Sequence, residues 1–99
     1  MDGPLFIGDE LTATGFRLAG VAVRIAAPAV AETVLREVLA DPPSVILLGA
    51  DCAQAVTPAF LYRRQLAARP PILVMTGLAG DVRAADEVRR IRQDLGVAQ

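Results

Sequence analysis

Short apolar runs alternate along the chain with longer stretches whose apolar positions recur every three or four residues. The first run, Pro4-Leu5-Phe6-Ile7-Gly8, reads as a strand that ends at a turn-forming glycine. A short helix is expected from Thr12 to Leu18, with Thr12 or Thr14 as its cap and Gly20 as its stop. Val21 to Ala26 predicts a second strand, whose one charge, Arg24, suits a partly exposed edge position. From about Ala29 to Ala40 the helical period is clearer. Val30, Val34 and Val38 recur at i+4, Leu35 and Leu39 widen the stripe, and Glu32, Arg36 and Glu37 take the opposite side. Asp41-Pro42-Pro43 ends that helix, because proline has no amide hydrogen to continue the ladder.

Ser44 to Gly49 has no polar alternation, the pattern of a central parallel strand covered on both faces. A third helical stretch runs from about Cys52 to Arg69 and stops before Pro70-Pro71. Within it, Thr57 as N-cap and Pro58 at the first helical position predict a shorter helix preceded by a loop or kink. Ile72 to Thr76 is a fourth apolar strand. From about Asp81 to Leu95, Ala84, Val88, Ile91 and Leu95 share one face, with Arg83, Asp86, Glu87, Arg89 and Arg90 around the rest and Gly96 as the stop. Strands separated by helices need right-handed crossovers and pair in parallel. The expected fold class is therefore α/β: a small doubly wound four-stranded parallel sheet, (βα)4, flavodoxin- or receiver-like, with an amphipathic C-terminal helix. Residues 1–99 form one expected domain, with the sheet core over about 1–76 and the C-terminal helix over about 81–95.

Composition narrows the chemistry. Hydrophobic residues make up 54% of the 99 and mean hydropathy is positive at +0.44, which suits a folded core rather than a disordered chain. The longest uncharged runs, Cys52–Tyr62 and Pro70–Gly80, are eleven residues each, whereas a spanning helix needs about 20. A net charge of −1 supplies no basic field for a nucleic acid. All ten basic residues are arginine, and histidine is absent. Lysine-dependent P-loops and Schiff bases, Ser-His-Asp triads, Cys-His pairs and histidine metal sites are thereby excluded. The one cysteine, Cys52, forms no internal disulfide. No basic stretch followed by an apolar run opens the chain, so a reducing cytosol is the expected location.

In doubly wound folds, sites gather at the carboxyl ends of the strands. Here those ends carry Gly8-Asp9-Glu10, Asp51 and Thr76. Such carboxylates can hold magnesium or accept a phosphoryl group; acids also suit the helix N-terminus that follows each strand. Cys52 has two readings, a nucleophile near a helix N-terminus or a small buried thiol. Gly15 and Gly20 fit no nucleotide-binding fingerprint. The segment Arg69-Pro70-Pro71-Ile72-Leu73-Val74-Met75-Thr76-Gly77 resembles the strand and threonine of response-regulator receiver domains. That resemblance implies Asp51 as the phosphorylated aspartate, with Asp9 and Glu10 as metal-binding acids in a degenerate signalling module. The chain departs from it in having no lysine and no segment for a fifth strand and helix.

A more specific motif is Ile7-Gly8-Asp9-Glu10-Leu11-Thr12-Ala13-Thr14-Gly15-Phe16-Arg17-Leu18-Ala19-Gly20-Val21. It resembles the opening strand, loop and first helix of the F subunit of V-type (A/V-type) ATPases and ATP synthases, with Leu11 in place of the usual acid and Ala13 in place of valine. The motif residues Gly8, Asp9, Glu10, Thr12, Thr14, Gly15, Phe16, Leu18 and Gly20 have expected roles in shaping the turn, capping the helix and supplying surface. The resemblance implies a non-catalytic rotor component with no catalytic, cofactor-binding or metal-ligating residue. It also implies binding to the coiled-coil D subunit of the central stalk, within the catalytic A/B ring and near the stalk component that links to the membrane ring. By the same analogy, Val88, Ile91 and Leu95, with Arg89, Arg90 and Arg92, are the expected partner contacts.

Overall fold

The computed structural model describes residues 2–76. Within them run β1 (Pro4–Gly8), α1 (Glu10–Leu18), β2 (Ala22–Ile25), α2 (Ala31–Leu39), β3 (Val45–Gly49), α3 (Ala50–Ala55), α4 (Pro58–Ala67) and β4 (Ile72–Met75). The helix expected over 81–95 lies outside the described residues.

All four strands pair in parallel, in the order β2-β1-β3-β4. This is the strand order of flavodoxin-like folds, with the switch point between β1 and β3. The chain steps one way from β1 to β2, then returns across β1 to β3. Right-handed crossovers therefore put α1 on one face of the sheet and α2 to α4 on the other. Side chains alternate accordingly. Leu5 and Ile7 of β1, Ile46 and Leu48 of β3 and Ile72 of β4 share a buried cluster with Val34, Leu35, Cys52, Val56 and Phe60. Phe6 points to the opposite face and stacks on Phe16 of α1, with ring centroids 4.8 Å apart. The uninterrupted apolar run of β3 thus corresponds to an interior strand. β4 is the outer strand among the described residues, and Leu73 and Val74 stay exposed. β2 is the other edge, where Arg24 reaches Glu37 of α2 at 2.6 Å.

Three expectations about the helices need correction. α1 starts at Glu10 rather than Thr12, because Asp9 takes the N-cap position; Thr14 lies inside the helix and donates to the Glu10 carbonyl at 3.0 Å. The second helical stretch opens as a 3₁₀ turn over Pro28–Val30, which turns Val30 out to solvent and leaves Val34 and Leu35 as the buried stripe. The third stretch begins at Ala50, two residues before Cys52, and divides into α3 and α4. Val56 and Thr57 between them are extended (ψ 142° and 122°), since the proline ring disfavours helical backbone in the residue before it. Thr57 occupies the N-cap position and Pro58 the first turn of α4, as expected, but the Thr57 side chain makes no capping bond. Its amide instead donates to Glu32 Oε1 at 2.7 Å, tying the break to α2.

Candidate functional site

The motif segment is built from the end of β1, the loop at Asp9 and the whole of α1. Asp9 Oδ2 accepts from the Thr12 amide at 2.9 Å and from Thr12 Oγ1 at 3.0 Å. Burial acts to raise the Asp9 pKa, but hydrogen bonds from Thr12, from its own amide and from the Leu11 amide outweigh it and hold the carboxyl below its usual range. Asp9 is thus an ionised cap. At the other end of α1, the Gly20 amide donates to the Arg17 carbonyl and the Val21 amide to the Phe16 carbonyl, both at 3.0 Å. This pair of bonds is a Schellman motif, and it requires the left-handed Gly20, with φ +86°. Gly8 serves packing: a Cβ there would lie 2.6 Å from Phe6 Cζ. Leu11, Thr14, Gly15 and Leu18 remain exposed on α1. Glu10 is exposed in its first turn.

The carboxyl ends of the strands do converge. Gly8, Asp9, Gly49, Asp51, Cys52 and Thr76 border one recess, of about 110 Å³ among the described residues. Pockets that enclose a small organic ligand measure roughly 300–1,000 Å³, so these residues alone do not enclose a flavin or a nucleotide. Glu10 does not line the recess. Asp51 sits in the first turn of α3, where its charge complements the helix dipole. Among the described residues, no three acidic or thiol side chains come close enough to share a metal ion. Cys52 is buried, and its Sγ–H donates to the Ala26 carbonyl at 3.4 Å. Burial first, then the charges of Asp51 and Asp9, push its thiol above the usual 9.0, opposite to the shift a thiolate nucleophile needs.

Val88, Arg89, Arg90, Ile91, Arg92 and Leu95 lie outside the described residues. The structure adds a group that the sequence pattern did not single out. Arg36 of α2 and Phe60, Arg63 and Arg64 of α4 border one recess, where the Arg36 guanidinium lies over the Phe60 ring. The available signal was the spacing: Arg63 and Arg64 follow Phe60 by three and four residues, one helical turn.

These features define a small parallel α/β domain of flavodoxin-like topology whose motif residues cap, turn and pack α1. A family model for the ATP synthase (F/14-kDa) subunit matches residues 5–92, and the chain belongs to that family. Comparison with curated proteins finds no match.

Proposed function

We propose that the chain is a non-catalytic component of the central stalk of a V-type ATPase or ATP synthase. In this reading it binds the coiled-coil D subunit and turns with it inside the catalytic A/B ring, near the stalk component that links to the membrane ring. It helps couple ATP hydrolysis or synthesis to proton or sodium ion transport. The family match over residues 5–92 carries the reading. The strand-end geometry supports it, because Asp9 is engaged as a helix cap and Cys52 as a buried thiol. A rotor that transmits torque needs a close-packed core, and the Leu5, Ile7, Leu35, Ile46 and Leu48 cluster supplies one.

No helix among the described residues is long and apolar enough to cross a membrane. We place the protein on the cytoplasmic side, held at the membrane through the complex. The motif residues Gly8, Asp9, Glu10, Thr12, Thr14, Gly15, Phe16, Leu18 and Gly20 keep the first strand and helix in shape. Val88, Ile91 and Leu95, flanked by Arg89, Arg90 and Arg92, contact the partner. Co-purification with a co-expressed D subunit from the same genome tests this. Val88→Asp combined with Ile91→Asp is expected to abolish co-purification while the thermal transition of the free chain stays in place. Undiminished co-purification would remove these residues from the contact.

A further inference from the structure

The recess between α2 and α4 carries a charge arrangement that neither the motif nor the strand ends account for. Phe60 is a core residue of α4, and the Arg36 guanidinium carbon lies 4.2 Å from its ring centroid, within cation–π range. Arg63 and Arg64 complete the lining, so three arginines border one open recess of about 280 Å³. Among the described residues the charges there are poorly balanced. Arg36 has Glu32 at 3.3 Å. Arg64 donates one Nη2 bond to the Arg69 carbonyl at 3.4 Å, while its Nε is buried with no acceptor among the described residues. Arg63 has no ion pair with a described carboxylate, and α4, PAFLYRRQLA, contains no acidic residue. Buried guanidinium donors are ordinarily hydrogen-bonded, and planar carboxylates match their geometry best.

Two large apolar side chains also stand on the exposed surface of α4. Tyr62 and Leu66, one helical turn apart, are 64% and 66% exposed. Arginine and tyrosine are the residue types that dominate the energetics of protein interfaces. We propose that α4 and the Arg36–Arg63–Arg64 recess dock an acidic helical segment of a protein partner. Carboxylates of that segment enter among the three guanidinium groups, and an apolar side chain one turn away rests on Tyr62 and Leu66. Charge complementarity selects an acidic partner; the apolar pair selects a protein segment over a free phosphate ion. The surface belongs to α2 and α4 alone and is independent of the central-stalk reading.

Tyr62 is the one tyrosine of a chain without tryptophan, so its emission reports directly on this surface. The full chain is titrated with a helical peptide of about 20 residues, long enough for five turns, made of glutamate, leucine and alanine. The comparison peptide carries lysine in place of glutamate. The expected result is a saturable change in Tyr62 emission with the acidic peptide and none with the basic one. Arg63→Glu is expected to weaken acidic-peptide binding by roughly tenfold or more and to admit the basic peptide. Arg63 is exposed, and unchanged far-UV circular dichroism confirms the fold; Arg63→Gln replaces it at the same threshold if that spectrum changes. Equal binding of both peptides, or unaltered affinity in the Arg63 variants, overturns the proposal. Complete displacement of the peptide by millimolar inorganic phosphate overturns it in favour of a small-anion site. A dimer of the free chain that Arg63→Glu dissociates overturns it in favour of a second copy.

Discussion

Replacing Asp9 with alanine separates a capping carboxylate from a reactive one. The substitution removes the acceptor of two hydrogen bonds, from the Thr12 amide at 2.9 Å and from Thr12 Oγ1 at 3.0 Å. Thr12 is itself buried, so water does not readily replace the carboxylate as acceptor for its hydroxyl. Loss of an N-cap costs about 1 kcal/mol, in a range of roughly 0.5–2. The second lost bond, at a buried donor, moves the expected loss to the upper half of that range, about 1.5–2 kcal/mol. For a chain of this size about 1 kcal/mol shifts Tm by ~4–8 °C, so Tm should fall by roughly 6–16 °C. Urea unfolding at neutral pH gives the same difference as a lower midpoint with an unchanged slope. The pH dependence supplies a second check. Because the folded pKa of Asp9 lies below its usual value of 3.8, the stabilisation is complete above that value. It is lost as pH falls through the folded pKa. Wild type and Asp9→Ala should therefore differ at neutral pH and converge as pH falls through the lowered folded pKa of Asp9. Asp9→Asn, which retains an acceptor oxygen, should lose less than Asp9→Ala. An Asp9→Ala variant as stable as wild type, or more so, would refute the cap assignment. It would show instead a carboxylate held against neighbouring charge, as in a site built for chemistry.

Gly8→Ala places a methyl group 2.6 Å from the buried Phe6 ring and should cost roughly 1–3 kcal/mol by overpacking. Gly49→Ala meets its nearest atoms at 3.5 Å, so chemical denaturation should find it within about 1 kcal/mol of wild type; equal losses for the two would contradict the packing description. Gly20→Ala forces a side chain into the left-handed region at φ +86° and should lower stability by about 1–2 kcal/mol. Cys52 should resist a disulfide reagent such as Ellman's at pH 8 in the native state and react fully in guanidinium, given its burial and raised pKa. Fast native labelling would contradict this.

The sheet was legible because it depends on runs and periods. Parallel pairing followed from helices between strands, and the interior place of β3 from its unbroken apolar run. The break before Pro58 followed from the ring's restriction of Thr57. Sequence alone does not place the cap of α1, because aspartate and threonine are both good caps and Asp9-Glu10-Leu11-Thr12 offers one at each end. The hydroxyl of Thr12 proved to be a donor to the cap rather than the cap itself. Period alone puts Val30 in the buried stripe, because it does not register the 3₁₀ turn that starts at Pro28. The acidic strand ends were legible as a cluster, but the engagement of Asp9 with Thr12 was not. The arginine recess is hidden for a related reason: it joins Arg36 of α2 to Arg63 and Arg64 of α4, which meet only when the two helices pack in the fold.

The family assignment, the capped motif and the proposed stalk role meet in one assembly experiment. The A, B and D subunits from the same genome are reconstituted with and without this chain, and the complexes are weighed by native mass spectrometry. The chain is expected to join the assembly when D is present and to be absent from an A/B assembly that lacks D. Binding of the chain to A/B in the absence of D, or its failure to join the complete assembly, would contradict that expectation.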